Sequence, residues 1–525
     1  MYMMNQLEPG HCCPIVMTAA AIPVLKNKPA FEEWYKKLLV QEYDPENKPI
    51  QEKKGVVLGM SMTEKQGGSD VRANTTIAKA ISHKGEGMGY LLTGHKWFTS
   101  APMSDAFLTL AKTENNDAPS CFLVPRWKPD GSRNDGFNIM RLKDKLADRS
   151  NASSEVTHSL THSLTHSLTH SLTHSLTHSL THSLTQVEYD NAYGLLVGNE
   201  GKGVKTIIEM VQSTRLDCTI GAASSSRKAL GLALNHSLHR SAFGKQLIHQ
   251  PLMANLLADL CIEAEAHTLL AMRIASAYDE YNRSGNNDDE LDLFRIGVSI
   301  AKYYVCKRQP TFAYECMEIF GGNGFVEDFP LAKLFRQSPL NSIWEGSGNV
   351  IALDILRGLN AMPAVLRELS LVKGMDTSFD LFVGNLNKSV MDIRNSASNN
   401  INNQHLARNL CDRLALGLQA SLMMRYGHPK AAAAYIASRI GITGKGFEHG
   451  AYYCNPSSSE ENAGNMTTSG QLSHSLTHLL THSLTHSLTH PFTYYSLIHL
   501  GFNYGSFVYS NTVAEDIIND NIKTM

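Results

Sequence analysis

The hydrophobic pattern of this 525-residue chain changes its period once, near residue 200, and that change limits the folds open to it. Upstream, from GVVLGMSMTEKQGGSD to about Val197, short strand-like runs (YLLTGHKWFTS, AFLTLAKT, SCFLVPRW) alternate with Gly, Asn and Asp turns, as in a small β domain. Downstream, from Gly203 to about Leu359, long stretches such as PLMANLLADLCIEAEAHTLLAMRIASAYDEY repeat their apolar residues at helical spacing, with the polar NRSGNNDDE as a linker. That spacing predicts a helical bundle. Helical pieces also occupy residues 1–50, PAFEEWYKKLLVQ being the clearest, and a further helical region around ARNLCDRLALGLQASLMMR is expected over 379–455. The expected class is α+β, with a β domain over 51–200, a helical bundle over 201–370 and a polar, unpatterned tail over 456–525.

One segment obeys neither period. The repeat THSL runs from Thr157 to Thr185 inside the β region, and a broken copy begins at Ser473. The tetranucleotide ACTC read in triplets gives Thr-His-Ser-Leu and then starts again, so the repeat follows from DNA slippage without selection on the polypeptide. As a helix it drifts around its axis, and as a strand it puts His and Leu on one face. Stacked repeat architectures need far longer units. Both tracts are read as disordered insertions. Removing residues 157–187 would join SSEV to EYDNAYGLLVG as one strand.

The tracts also hold twelve of the 23 histidines, which removes the apparent enrichment, and a four-residue period builds no closed metal site, so no metal is expected. A net charge of -2 argues against nucleic acid or anionic membrane as the default partner. Nine cysteines without a close CxxC pair are expected to be core thiols in a reducing, cytoplasmic compartment. No run of 18 apolar residues predicts a membrane span, and the N-terminus lacks the basic and apolar regions of a signal peptide.

Three patches have the residue types for chemistry. In MTEKQGGSD, Thr63 and Ser69 flank a Gly-Gly turn with exposed amides, suited to polar cofactor or substrate atoms, although alone it equally describes a surface loop. In HKWFTS, strand alternation puts Trp97 and Thr99 on one face, opposite Phe98, where they would flank a planar ring; a buried core tryptophan fits as well. In FGGNGFVEDFPLAKLFRQSPLNSIWEGSGN, Gly321, Gly322 and Gly324 would let a nucleotide approach backbone amides between helices. Glu345 follows Trp344 and precedes Gly346, Ser347 and Gly348; burial there would raise its pKa and suit it to general-base work, while a lone carboxylate at a helix start is the plainer alternative.

The order and spacing of MTEKQGGSDVRANTT, LTGHKWFTS, TRLD at Thr214–Asp217, HRSAFG at His239–Gly244, and GGNGF followed by IWEGSGN resemble the acyl-CoA dehydrogenase family, and within it the AidB-like branch of adaptive alkylation-response flavoproteins. The resemblance covers roughly residues 1–370 and implies a β-barrel-like domain between helical domains, FAD as cofactor, an acyl-CoA substrate and a homodimer or homotetramer. It also implies an electron acceptor such as an electron-transfer flavoprotein. By this resemblance Met62 and Thr63 contact the flavin pyrimidine end, and Trp97 and Thr99 lie beside the isoalloxazine, with Thr99 near N5. Arg240 and Phe243 reach the FAD of a neighbouring subunit, together with Gly321 and Gly322, while Ser347 and Asn349 contact the adenine dinucleotide. Ser69 and Arg215 match substrate-side positions, and Glu345 matches the catalytic base.

Departures from the family pattern are Glu318 where a Gln is usual, Trp344 in place of a Tyr, and an N-terminal helical domain longer in the family than these first 50 residues. The chain is therefore expected to be truncated at its start, which leaves open an organelle-targeting segment ahead of it. The implied reaction is α,β-dehydrogenation of an acyl-CoA thioester. Its rival is a DNA-associated protective flavoprotein with vestigial activity, needing a basic face from Arg394, Arg408, Arg413, Arg425, Lys430 and Arg439.

Overall fold

The computed structural model describes residues 1–156, 187–284, 287–398 and 403–441. The expected tail over 456–525, both THSL tracts apart from Val187, and the end of the 379–455 region lie outside the described residues. Chain contacts divide the molecule into a sheet unit, Leu7–Asp217, and a helical unit formed by Met1–Gln6 and the chain from Cys218 onward. The fold is α+β, with a sheet between helical regions.

The sheet unit begins with two helices, α1 being the short Tyr2–Leu7 that precedes it. Helix α2 (Pro9–Leu25) starts at Glu8, whose carboxylate accepts from the Gly10 amide, with proline at the first helical position where no amide partner is needed. Helix α3 (Glu32–Leu38) carries Glu32 and Glu33 in its first turn and Lys36 and Lys37 in its last, complementing the helix dipole.

The strands are β1 (Leu58–Ser61), β2 (Ile77–Ala80), β3 (Gly89–Ser100), β4 (Ala106–Thr113), β5 (Asn116–Pro125), β6 (Phe137–Asn138), β7 (Arg141–Leu142), β8 (Ser153–Val156) and β9 (Val187–Val197). The pairings β3–β2–β4–β5–β9–β3 close a ring, so these strands leave few unpaired edges. Alternate residues Tyr90, Leu92, Phe107, Phe122, Val124, Tyr189 and Leu196 fill its core, where the Phe107 and Phe137 rings stack at 5.0 Å.

The first tract enters this ring at one point. Antiparallel β8 places Val156 opposite Lys96 of β3, and β9 places Val187 opposite the same Lys96, then Glu188 opposite His95. Strands β8 and β9 are two halves of one line along β3. Without residues 157–187, Val156 and Glu188 would face Lys96 and His95 in unbroken register.

In the helical unit, α4 (Gly203–His239) runs on from the sheet unit, and α5 (Pro251–Ser284) and α6 (Asp288–Ile319) follow. Asn287 caps α6 by accepting from the Glu290 amide, and three acidic residues fill the first turn. The shorter α7 (Pro330–Gln337), α8 (Leu340–Ile343), α9 (Gly348–Arg357) and α10 (Met362–Ser370) lead to α11 (Thr377–Ser398), α12 (Ala407–Tyr426) and α13 (Pro429–Tyr435). Leu234, Leu260, Cys261, Phe312, Cys316, Leu331 and Leu334 make one apolar core between α4, α5, α6 and α7. The eight cysteines described are all buried and unbridged. Among the described residues no single helix is long and apolar enough to cross a membrane.

Candidate active site

The sheet unit holds the first two motifs against each other. The loop after β1 carries Met62 and Thr63, and the Trp97 amide of β3 donates to Thr63 O at 2.7 Å. The loop closes on itself through buried Asn74, whose Nδ2 donates to Met62 O at 3.0 Å while its Oδ1 accepts from Gln66. Gly68 passes so close to Thr63 that a Cβ there would sit 2.7 Å from its hydroxyl. Ser69 lies exposed beyond that glycine.

Beneath this loop is a pair that sequence reading missed. Glu64 is fully buried; its carboxylate accepts from the amides and hydroxyls of Thr75 and Thr76 and from Lys96 Nζ at 2.9 Å. Burial alone would raise its pKa, but the Lys96 charge and these donors outweigh it and hold the carboxyl down to about 2. Lys96 also donates to Leu110 O at 2.7 Å, tying the motif loop, β3 and β4 together. Nothing local in MTEKQGGSD and HKWFTS, 32 residues apart, announces that pairing.

Strand β3 departs from strict alternation where it matters. Its pairing with β8 skips a residue between Lys96 and Thr99, a bulge that turns Trp97 and Phe98 to the same side. One ammonium, Lys143 Nζ, lies 3.6 Å from the Trp97 ring centre and 4.6 Å from that of Phe98. Burial, then the neighbouring Arg141, lowers the Lys143 pKa to about 8. Thr99 is instead fully buried, with its hydroxyl 2.5 Å from Ser61 Oγ. The expectation that Trp97 and Thr99 share a face opposite Phe98 is thus corrected: the bulge puts Trp97 and Phe98 together, and Thr99 is in the interior. Arg215, on α4 within the sheet unit, is buried, and burial raises the nearby Asp217 to about 6.

In the helical unit two of the expected nucleotide elements occupy one end of the bundle. After α4, Ser241–Ala242 pairs with Lys245–Gln246 as a two-residue-loop hairpin. Phe243 and Gly244 at its tip have φ of 51° and 77°, a turn in which the first position strains any residue but glycine, asparagine or aspartate. Phe243 is 100% exposed there, and Arg240 at the hairpin's base is also exposed. Phe320, at the end of α6, stacks on His236 of the last turns of α4 at 4.2 Å, so the Gly321–Gly322 turn lies beside this hairpin's root. Gly321 has φ of 58°, and the space about both glycines is open. Gly324 is required by packing, since a Cβ there would meet Met317 O at 2.1 Å.

Glu345 lies in the bend between α8 and α9, with φ of 56°, a backbone that a side chain makes costly. It is half-buried, as is Trp344, whose indole donates to Asn341 Oδ1 at 3.0 Å. Buried Lys302 of α6 donates to the carbonyls on either side, Trp344 O at 2.8 Å and Gly346 O. Ser347 stands at the start of α9, and Asn349 in its first turn accepts from Arg408 Nε at 2.9 Å.

The middle-domain model of the acyl-CoA dehydrogenases matches residues 59–159, their C-terminal-domain model matches 201–360, and the N-terminal-domain model of adaptive response protein AidB matches 1–45. The chain belongs to the acyl-CoA dehydrogenase family. It is 40% identical to AidB of Escherichia coli strain K12 over 436 residues, 82% of this chain and 71% of that protein. It is 28% identical to acyl-CoA dehydrogenase family member 11 of Caenorhabditis elegans, covering 67% of this chain but only about half, 52%, of that longer protein. Among solved structures, Caenorhabditis elegans ACDH-11 in complex with C11-CoA shares the fold with a TM-score of 0.67 at 24% identity, covering 81% of this chain and 70% of that one. An acyl-CoA dehydrogenase of Bacillus anthracis complexed with FAD also shares it, with a TM-score of 0.54 at 16% identity, over 74% of this chain and 64% of that one.

Proposed function

We propose that this chain is an FAD-dependent acyl-CoA dehydrogenase in which Glu345 removes the α proton of an acyl thioester. The observation that carries the reading is the Glu345 bend: a carboxylate on strained backbone, with its neighbours' carbonyls held by Lys302, in a chain of this family. The residues fit the cofactor. The narrow Gly68–Thr63 approach leaves a polar lip for the flavin's pyrimidine edge, with Met62 and Thr63 as its contacts. Open Gly321 and Gly322 suit a diphosphate, and Ser347 and Asn349 offer polar groups for the dinucleotide. FAD, when bound, supplies the acceptor for the hydride leaving the β carbon.

This chain's own residues do the rest. The Glu345 carboxylate takes the proton that the thioester carbonyl acidifies, and the electrons of that C–H bond form the new double bond as hydride leaves. Trp97 and Phe98, whose rings meet at 85°, offer an aromatic corner against which a ring packs, and half-buried Trp344 keeps water from the carboxylate. Ser69 and Arg215 are assigned to the thioester side. Exposed Phe243 and Arg240 serve a neighbouring copy in a homodimer or homotetramer, and electrons pass to an electron-transfer flavoprotein or similar acceptor.

Among the cations that the DNA-associated reading requires, Arg425 and Arg439 are already paired with carboxylates, which supports the enzymatic reading over it. Arg408 binds Asn349, Arg413 binds Ser389, Arg425 binds Glu368, and Arg439 binds Asp259 at 2.7 Å. For Glu345→Gln, dye-coupled acyl-CoA turnover should fall by at least about 1,000-fold with flavin retained. Undiminished turnover would remove Glu345 from the mechanism, and tight DNA binding at low salt without turnover would favour the other reading.

A further inference from the structure

We propose that Lys302 is the positioning residue of the site: its buried ammonium clamps the main chain on both sides of Glu345 and so fixes where the carboxylate points. This rests on Glu345 as the base. Lys302 is 1% exposed on α6, 43 residues before Glu345 in the chain, and its ammonium donates to Trp344 O at 2.8 Å and to Gly346 O. Those carbonyls belong to the 344–345 and 346–347 peptide units, which enclose residues 345 and 346. Drawing both toward one nitrogen fixes the two planes across the Glu345–Gly346 pair, whose first residue is left with φ of 56°. Gly346 follows with φ of 106°, which only glycine accommodates without cost, so the strain at this bend falls on Glu345 alone.

Such strain persists only where the surroundings over-determine it. Here the indole of Trp344 is tied to Asn341, and Asn341 Nδ2 donates to Gln309 Oε1 at 3.4 Å, so α6 grips the bend at a second point. Lysine suits the first point because a compact ammonium on a long stem has three donors and can serve two carbonyls at once. A neutral aliphatic side chain there would take this donor from both part-buried carbonyls and let the bend relax toward negative φ. The carboxylate would then swing, and an ångström of misplacement costs a general base about 100-fold.

The test uses flavin-loaded protein and the variants Lys302→Met and Lys302→Arg. In anaerobic mixing with an acyl-CoA thioester, Lys302→Met should lower the rate constant of flavin bleaching about 100-fold. Substrate dissociation constant and flavin content should change by less than about threefold, and Lys302→Arg, which keeps donors but not the compact ammonium, should retain a rate between those of the unmodified protein and Lys302→Met. The second readout needs no activity. Lys302→Met should lower the melting temperature by about 5 °C, and by clearly less when combined with Glu345→Gly, which removes the strain that the clamp opposes. Should Lys302→Met fail to accumulate as folded protein, Lys302→Gln, which keeps a donor for one carbonyl, carries the same comparisons. An unchanged bleaching rate, or equal melting losses with and without Glu345→Gly, would overturn the proposal. No bleaching of the unmodified protein by any thioester would instead sink the dehydrogenase reading, and the melting cycle would still decide whether Lys302 holds residue 345.

Discussion

Each unit of the molecule buries a lysine beside a motif, and the two are satisfied in opposite ways. In the sheet unit, Lys96 meets the carboxylate of Glu64, itself saturated by Thr75 and Thr76. In the helical unit, Lys302 meets main-chain carbonyls. The first is a buried ion pair whose partners stabilise the fold jointly and whose halves are costly alone. The second spends a charge on dipoles and gains the shape of one bend. The buried ion pair ties the motif loop to β3 and β4, whereas the ammonium on carbonyls holds one strained residue in place.

Breaking the ion pair should have the largest effect. Lys96→Met leaves Glu64 charged in the core and should cost about 3–5 kcal/mol in denaturant unfolding. Adding Glu64→Leu should return only part of that loss, because the Thr75 and Thr76 amides then lack their acceptor. Next comes removal of residues 157–187. The β8–β9 register closes without them, and relief of loop-closure entropy should raise stability by at most about 3 kcal/mol, read as a higher melting temperature with an unchanged circular dichroism spectrum.

Acid should separate the two units. The Glu64 carboxyl is held below its ordinary 4.5, at about 2, so its contribution is complete above 4.5 and is lost as pH falls through 2. Glu265 of α5 behaves oppositely. Burial lifts its carboxyl to about 7, so its protonated form favours the fold, and that contribution fades as pH rises from 4.5 through 7. Glu265→Gln, the smallest effect, should therefore raise the melting temperature at pH 8, by about 2 °C, and leave it unchanged near pH 4.5. A gain of the same size at both pH values would show that the fold leaves the Glu265 carboxyl at its ordinary pKa.

The change of hydrophobic period made the sheet and the helices legible, because burial of one face imposes its own spacing on the chain. The line through β8 and β9 was legible too, since SSEV and EYDNAYGLLVG keep strand character on either side of a repeat that has none. The bulge at Trp97 and Phe98 was not. It is set by the pairing of β3 with β8, more than fifty residues away, and alternation within HKWFTS gives no sign of it. The same holds for Lys302: SIAKYYV has an ordinary helical pattern, and only the packing of the Glu345 bend on α6 shows what its charge does.

Proton removal by Glu345 is tested most directly apart from any redox step. Flavin-loaded protein incubated with an acyl-CoA thioester in heavy water should place deuterium at the α carbon of recovered substrate, and Glu345→Gln should abolish that exchange. Exchange that continues undiminished in Glu345→Gln would contradict the account.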